Sequence, residues 1–199
     1  HLYPVPLAHH AARAIIVGMR ILGIDPSLSC TGYGVVDYDP PSAAALDAGV
    51  IRTSGSASLE VRLATLSQGI REVLAEWSPD VLVVEQLYSK YEHPKTAILM
   101  GHARGVVLLA AAERGLEVVA YQASSVKRSL TGNGRSSKQQ VGAMVAKALG
   151  LAEVPEPADV TDALALCLCH TSPLRRETQD RKLPERIARA IAAHGGKPS

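Results

Sequence analysis

The chain has 199 residues, 47% of them apolar, with a formal net charge of +2; that is enough apolar content for one domain with a continuous core. Its three cysteines, Cys30, Cys167 and Cys169, are odd in number and form no C-x-x-C pair, which argues against a disulfide scaffold or a zinc cage and fits a reducing, cytoplasmic setting. The small net charge hides an uneven distribution: from Thr171 onward seven Lys/Arg face three Asp/Glu, leaving fourteen against sixteen in the rest, so the basicity sits in a tail, 173–199, that reads as solvated and flexible.

Residues 1–18 lack a basic stretch ahead of their apolar run, and no uninterrupted apolar run reaches the roughly 20 residues of a membrane span, so neither export nor a membrane anchor is expected. This segment reads as an extension ahead of the folded unit, 19–172. Arg20-Ile-Leu-Gly-Ile-Asp25 is a short apolar run ending in an acid. Gly32 to Tyr38 and Ala48 to Thr53 are two further β-rich runs, separated by Pro40-Pro41. Leu59, Leu63, Leu66, Ile70, Leu74 and Trp77 recur at steps of three and four, which predicts an amphipathic helix stopping before Pro79.

Asp80-Val-Leu-Val-Val-Glu85 is continuously apolar between its acids, the pattern of a central strand buried on both faces, and it again ends in a carboxylate. From Lys95 to Arg114 the pattern is helical but apolar nearly all round, so two buried faces are expected. Gly101 and Gly105, four apart, mark a stripe of close approach and a candidate dimer face. Glu117 to Tyr121 predicts a fifth strand. A Ser/Lys/Arg/Gly-rich connection follows, then helices from Lys138 to Leu149 and from Asp159 to about His170. Cys167 and Cys169 fall in that last apolar helix and read as packing residues. The order of elements describes a five-stranded mixed sheet in an α/β fold, flanked by helices on both faces.

Phosphodiester hydrolysis assisted by paired divalent ions needs several hard oxygen ligands converging on one place. Asp25 and Glu85 end two strands and become neighbours if those strands pair in parallel. Asp159 and Asp162 are three apart at a helix start, hence on one face of its first turn. Each has an ordinary alternative: helix-start acids cap and favour the macrodipole, Asp25 before Pro26 suits a turn, and Glu85 can simply reach solvent. Lys127, Arg128, Arg135 and Lys138 flank Thr131-Gly132-Asn133-Gly134, a basic and flexible stretch that suits a phosphate backbone or, equally, a solvated charge run.

Four segments, Asp25-Pro-Ser-Leu-Ser-Cys-Thr-Gly-Tyr-Gly-Val35, Glu85-Gln-Leu-Tyr88, Gly101-His-Ala-Arg-Gly-Val106 and Asp159-Val-Thr-Asp-Ala-Leu164, together resemble the successive motifs of the RuvC family of Holliday (crossover) junction endodeoxyribonucleases. The resemblance spans Met19 to about His170 and implies a ribonuclease H-like fold. It implies that Asp25, Glu85, Asp159 and Asp162 are the catalytic, metal-binding acids for two Mg2+ ions, with Mn2+ a substitute. It places Lys127 and Lys138 among DNA-contacting lysines near the active site, and Tyr88 where an aromatic face stacks on an unpaired base at the crossover. The implied activity is paired symmetric nicking of four-way junctions in recombination and repair, by a homodimer that works with RuvA and RuvB and leaves 5′-phosphate ends. Two positions depart from the family pattern: Ser27 stands where glycine is usual after Asp-Pro, and Tyr88 where phenylalanine is frequent.

Three rival readings are weighed. Gly23-Ile-Asp25 followed by Ser29, Thr31, Gly32 and Gly34 resembles the phosphate-gripping hairpin of actin-like and sugar-kinase ATPases, but those need a duplicated second domain and no second copy of the motif is visible. The others are a non-catalytic junction-binding module and a RuvX-like RNA-processing nuclease.

Overall fold

A computed structural model of the chain describes residues 18–86 and 94–172. Tyr88, most of the N-terminal extension and the basic tail lie outside the described residues. Three strands open the fold: β1 (Met19–Asp25), β2 (Cys30–Asp39) and β3 (Ser42–Arg52). Then come α1 (Leu59–Trp77), β4 (Val81–Glu85), α2 (Pro94–Glu113), β5 (Glu117–Tyr121), α3 (Ala123–Thr131), α4 (Lys138–Leu149) and α5 (Ala158–Thr171). The sheet order is β3-β2-β1-β4-β5. β1, β2 and β3 pair antiparallel, while β4 and β5 join parallel to β1, so the expected five-stranded mixed sheet is present.

Side-chain alternation divides the core in two. Val81 and Val83 of β4 face the cluster built with α3, α4 and α5, whereas Leu82 and Val84 face the one built with α1 and α2. β1 does the same with Ile21 on one side and Leu22 and Ile24 on the other. All seven residues are 0–3% exposed, so these two adjacent strands are buried on both faces, and both end in acids. β2 and β3 are longer than predicted because pairing continues through Asp39↔Ser42 up to the Pro40-Pro41 turn.

Two expectations need correction. The connection after β5 begins with a nine-residue helix, α3, so Lys127 and Arg128 sit on a helix and not in a flexible loop. Its serines and threonine weaken helix propensity. The hydroxyls of Ser129 and Thr131, however, donate back to the Val126 and Lys127 carbonyls, and Val126 and Leu130 anchor the helix in the core.

The second concerns α2, which within the single chain buries one stripe and leaves the other expected face, the candidate dimer face, open. Ala103, Val107, Ala110 and Ala111 pack inward, while Ile98 and Leu109 stay 59% and 57% exposed. A β-carbon added at Gly101 or Gly105 would meet nothing within 4 Å. By length and composition alone α2 could cross a membrane; it is interrupted by His102 and Arg104, and its inner stripe packs on α1 and β5.

Candidate active site

Period-two alternation carries the chemistry from strand to site. Asp25 continues the face of Ile21 and Gly23, and Glu85 continues that of Val81 and Val83, so both carboxylates leave the sheet on the α5 side. The parallel register aligns Ile24 with Val84, which makes Asp25 and Glu85 lateral neighbours at one sheet edge.

α5 comes close enough to add its own acids because the sheet under it lacks side chains. A β-carbon on Gly23 would overlap the carbonyl oxygen of Ala163, and one on Gly32 would overlap that of Asp159. On Gly34 it would stand 2.6 Å from Leu164 Cδ2. The glycines that suggested a phosphate-gripping hairpin are therefore occupied by a helix. They are positioning residues to which the sequence reading, having set the hairpin aside, gave no role, and a glycine at every second position, 32 and 34, facing an apolar helix was the available signal.

Neither Asp159 nor Asp162 is the N-cap of α5, although Asp159 lies in its first turn, where the macrodipole favours an acid. The N-cap is Pro157, without a side-chain cap, and Asp162 accepts an ion pair from Lys138 Nζ at 2.8 Å. Lys138 opens α4, whose start is fixed by a capping box: Ser137 Oγ accepts from Gln140 N–H while the Gln140 side chain accepts from Ser137 N–H. On the other flank Thr31 Oγ1 donates to Ser27 O and accepts from Ser27 N–H, fixing the turn after Asp25. Among the described residues the non-glycine at positive φ is Ser78, so serine at position 27 strains nothing.

A cavity of about 280 Å³ opens between these elements, lined by Asp25, Glu85, Asp162, Lys127 and Lys138 over an apolar floor that includes Val126 and Val141. Asp159 stands beside it, in electrostatic contact with Asp25 and with the Cys30 thiol. Burial, then the neighbouring charges of Asp162, Glu85 and Asp159, push the Asp25 carboxyl up to about 7, against a partial opposing pull from Lys138. Burial and Asp162 raise Glu85 as well, offset by Lys138 and Lys127. The hydrogen bond to Asp162 raises Lys138 despite its partial burial.

The edge thus carries more acid than its two lysines neutralise. Among the described residues no three His, Cys, Asp or Glu side chains stand close enough to form a coordination cluster. Arg128 and Arg135 line none of this cavity. The buried Cys167 thiol, pushed up to about 12 by desolvation, donates to the Ile21 and Gly34 carbonyls and serves packing.

The chain matches the family model of crossover junction endodeoxyribonuclease RuvC over residues 21–170. It is 49% identical over 149 residues to the crossover junction endodeoxyribonuclease RuvC of Rhodopirellula baltica, covering 75% of this chain and 84% of that one. Among solved structures it resembles Thermus thermophilus RuvC, at 36% identity and a TM-score of 0.74 over 80% of this chain and 98% of that chain. The same protein solved with a Holliday junction substrate gives a TM-score of 0.76 over 80% and 97%. The yeast mitochondrial Holliday junction resolvase Ydc2, 15% identical with a TM-score of 0.57 over 77% and 78%, shares the fold. With the match running through the whole folded unit from β1 to α5, this chain belongs to the RuvC family of crossover junction endodeoxyribonucleases.

Proposed function

We propose that the chain resolves four-way DNA junctions in recombination and repair by paired symmetric nicks, with Asp25, Glu85, Asp159 and Asp162 as the metal-holding acids of each site. The observation that carries this reading is the convergence of acids from β1, β4 and α5 on one sheet edge, where burial and mutual repulsion raise the Asp25 carboxyl. The donor set fits a hard divalent cation: every candidate ligand is a carboxylate oxygen, and the Lys138 ammonium already answers part of the site's demand for positive charge. Two Mg2+ ions, or Mn2+ in their place, supply an activated water and charge neutralisation at the leaving 3′ oxygen when bound.

The protein's own groups do the rest. The four carboxylates hold the ions against a rigid double-buried strand pair, and the apolar floor of Val126 and Val141 limits water. Lys127 and Lys138 stand at the cavity wall where a scissile phosphate lies against the acids, while Arg128 and Arg135 contact the backbone further out. Tyr88 follows Glu85 by three residues and offers an aromatic face to an unpaired base at the crossover.

The exposed apolar stripe of α2, with Ile98, Leu109 and the open Gly101 and Gly105, supports a homodimer that sets two sites on opposing strands of a two-fold junction. The family implies RuvA and RuvB as branch-migration partners and a cytoplasmic location. The test is cleavage of a synthetic four-way junction, a linear duplex and a structured RNA with Mg2+ and with Mn2+. Paired nicks with 5′-phosphates on the junction alone are expected; equal cutting of linear duplex, or of RNA, overturns the reading.

A further inference from the structure

The acid cluster has cations on one side, Lys127 of α3 and Lys138 of α4, which line the same cavity. On the opposite side, at the end of β3 and the first turn of α1, stand Arg52 and Arg62. Arg62 Nε donates to Thr53 Oγ1 at 2.9 Å and Nη2 donates to Ser29 Oγ at 2.9 Å. Both partners are neutral hydroxyls. The ion pairs among the described residues are Arg20–Asp37, Arg71–Glu113 and Lys138–Asp162, so Arg62 is held in place with no carboxylate partner among the described residues. The nearest acid in the chain, Glu60, accepts instead from Ser58 Oγ.

The anchors of Arg62 belong to the active-site framework. Ser29 ends the turn that starts at Asp25, and Thr53 is tied to that turn twice, by its amide to Ser29 O and its hydroxyl to Leu28 O. Arg52, exposed, pairs in register with Cys30; residues directly opposite in an antiparallel pair share a face, and Cys30 faces Asp159. The two arginines therefore flank the sheet edge from its two faces, Arg52 on a strand two places from β1 in the sheet and Arg62 on α1.

We propose that Arg52 and Arg62, with the hydroxyl of Ser29, form a second phosphate-backbone grip, Thr53 serving to hold Arg62 in place, so that the strand being cut is held on both sides of the carboxylates. This rests on the junction-cleaving reading above. A guanidinium pre-oriented by neutral partners loses little rotational freedom when it meets a phosphate, and its planar fork suits two oxygens of one phosphate. Serine hydroxyls are also frequent phosphate donors in DNA interfaces.

The experiment follows binding of the full chain to a labelled four-way junction and to a linear duplex by fluorescence anisotropy, in EDTA, from about 50 to about 300 mM KCl. Each lost phosphate contact flattens the plot of log K against log[salt] by about 0.9. Arg52→Gln with Arg62→Gln should therefore flatten it by about 1.8 on both DNAs and weaken binding on the order of tenfold near physiological salt. Arg52→Gln alone, at an exposed position that leaves folding intact, should flatten it by about half as much. Arg62→Lys should keep the wild-type slope. An unchanged slope in the double variant overturns the proposal, as does Arg62→Lys losing as much as Arg62→Gln, which would make the arginine structural. If the wild type fails to cut junctions at all, the junction reading fails instead; normal wild-type cleavage with an unchanged variant slope strikes this inference alone.

Discussion

Replacing Asp25 by Asn should stop cleavage and, without metal, make the protein more stable. Folding drives this carboxyl from its ordinary 3.8 up to about 7, so above pH 7 the native state holds a charge that burial and three neighbouring acids oppose. A carboxyl raised in the folded state binds protons on folding; the contribution of Asp25 to stability is therefore fully present below its unfolded pKa and is lost as pH climbs from about 4 to about 7. At about 1.4 kcal/mol per pH unit the full penalty at pH 8 is on the order of 4 kcal/mol. Asparagine keeps the shape without the charge, and its own polar burial takes back part of the gain, leaving about 2–4 kcal/mol. For a domain of this size that is a rise in Tm of roughly 5–15 °C.

The gain should shrink to about 1–2 kcal/mol at pH 5, where the folded wild type is already protonated. Mg2+ at about 100 times its Kd should close most or all of the pH 8 gap, since it stabilises the wild type by about 2.7 kcal/mol and has one ligand fewer in the variant. Thermal melts at pH 5 and pH 8, with EDTA and with Mg2+, read all four values. An Asp25→Asn variant that melts at or below wild type at pH 8 in EDTA, or whose advantage is as large at pH 5, would refute the claim that burial and repulsion at this edge raise the carboxyl.

Three other perturbations follow from the same geometry. Gly32→Ala places a methyl on the Asp159 carbonyl and should lower stability by about 1–3 kcal/mol through overpacking; because it displaces the acids, cleavage at saturating junction should fall far more than junction affinity, which a KM-against-kcat comparison checks. Lys138→Met frees Asp162 of its ion pair, so the Mg2+ concentration needed for half-maximal thermal stabilisation should fall while junction binding in EDTA weakens; a higher Mg2+ requirement would show that the lysine assists metal binding instead of competing with it. Leu109→Glu puts a charge on the open stripe of α2 and should give monomers by sedimentation with little change in the chain's own melting temperature, since the position is solvent-facing in the single chain; paired nicking should be lost with it.

The acids were legible in the sequence because two of them end strands whose burial is written in an unbroken apolar run, and a parallel pairing of those strands leaves them side by side. What brings α5 over them was not legible. Gly23, Gly32 and Gly34 have the same letters whether a phosphate or a helix backbone fills the space above them, and only the approach of Ala163, Asp159 and Leu164 decides it. α3 was missed for a related reason: Ser124, Ser125, Ser129 and Thr131 carry loop propensity, and the helix exists through Val126 and Leu130 docking in the core, a tertiary effect. The all-round apolar pattern of α2 called for two buried faces, but a single chain supplies a partner for one. Arg62 gave no local signal, because its partners Ser29 and Thr53 lie 33 and 9 residues away.

The distribution of strain explains why such a site is tolerated. Carboxylates that repel one another favour separation, and a loop would let them separate. Here Asp25 and Glu85 end β1 and β4, whose preceding residues Ile21, Leu22, Ile24 and Val81 to Val84 are buried between helices on both faces of the sheet, so separation would require pulling a core strand from its neighbours. Each such aliphatic side chain contributes about 1.5–3 kcal/mol on burial, and together they outweigh a penalty on the order of 4 kcal/mol. Asp159 and Asp162 are held differently, by the seating of α5 on glycine and by Lys138. The site therefore has two rigid acids and two that depend on the approach of a helix, and substitutions at the glycine seat should act selectively on the second pair.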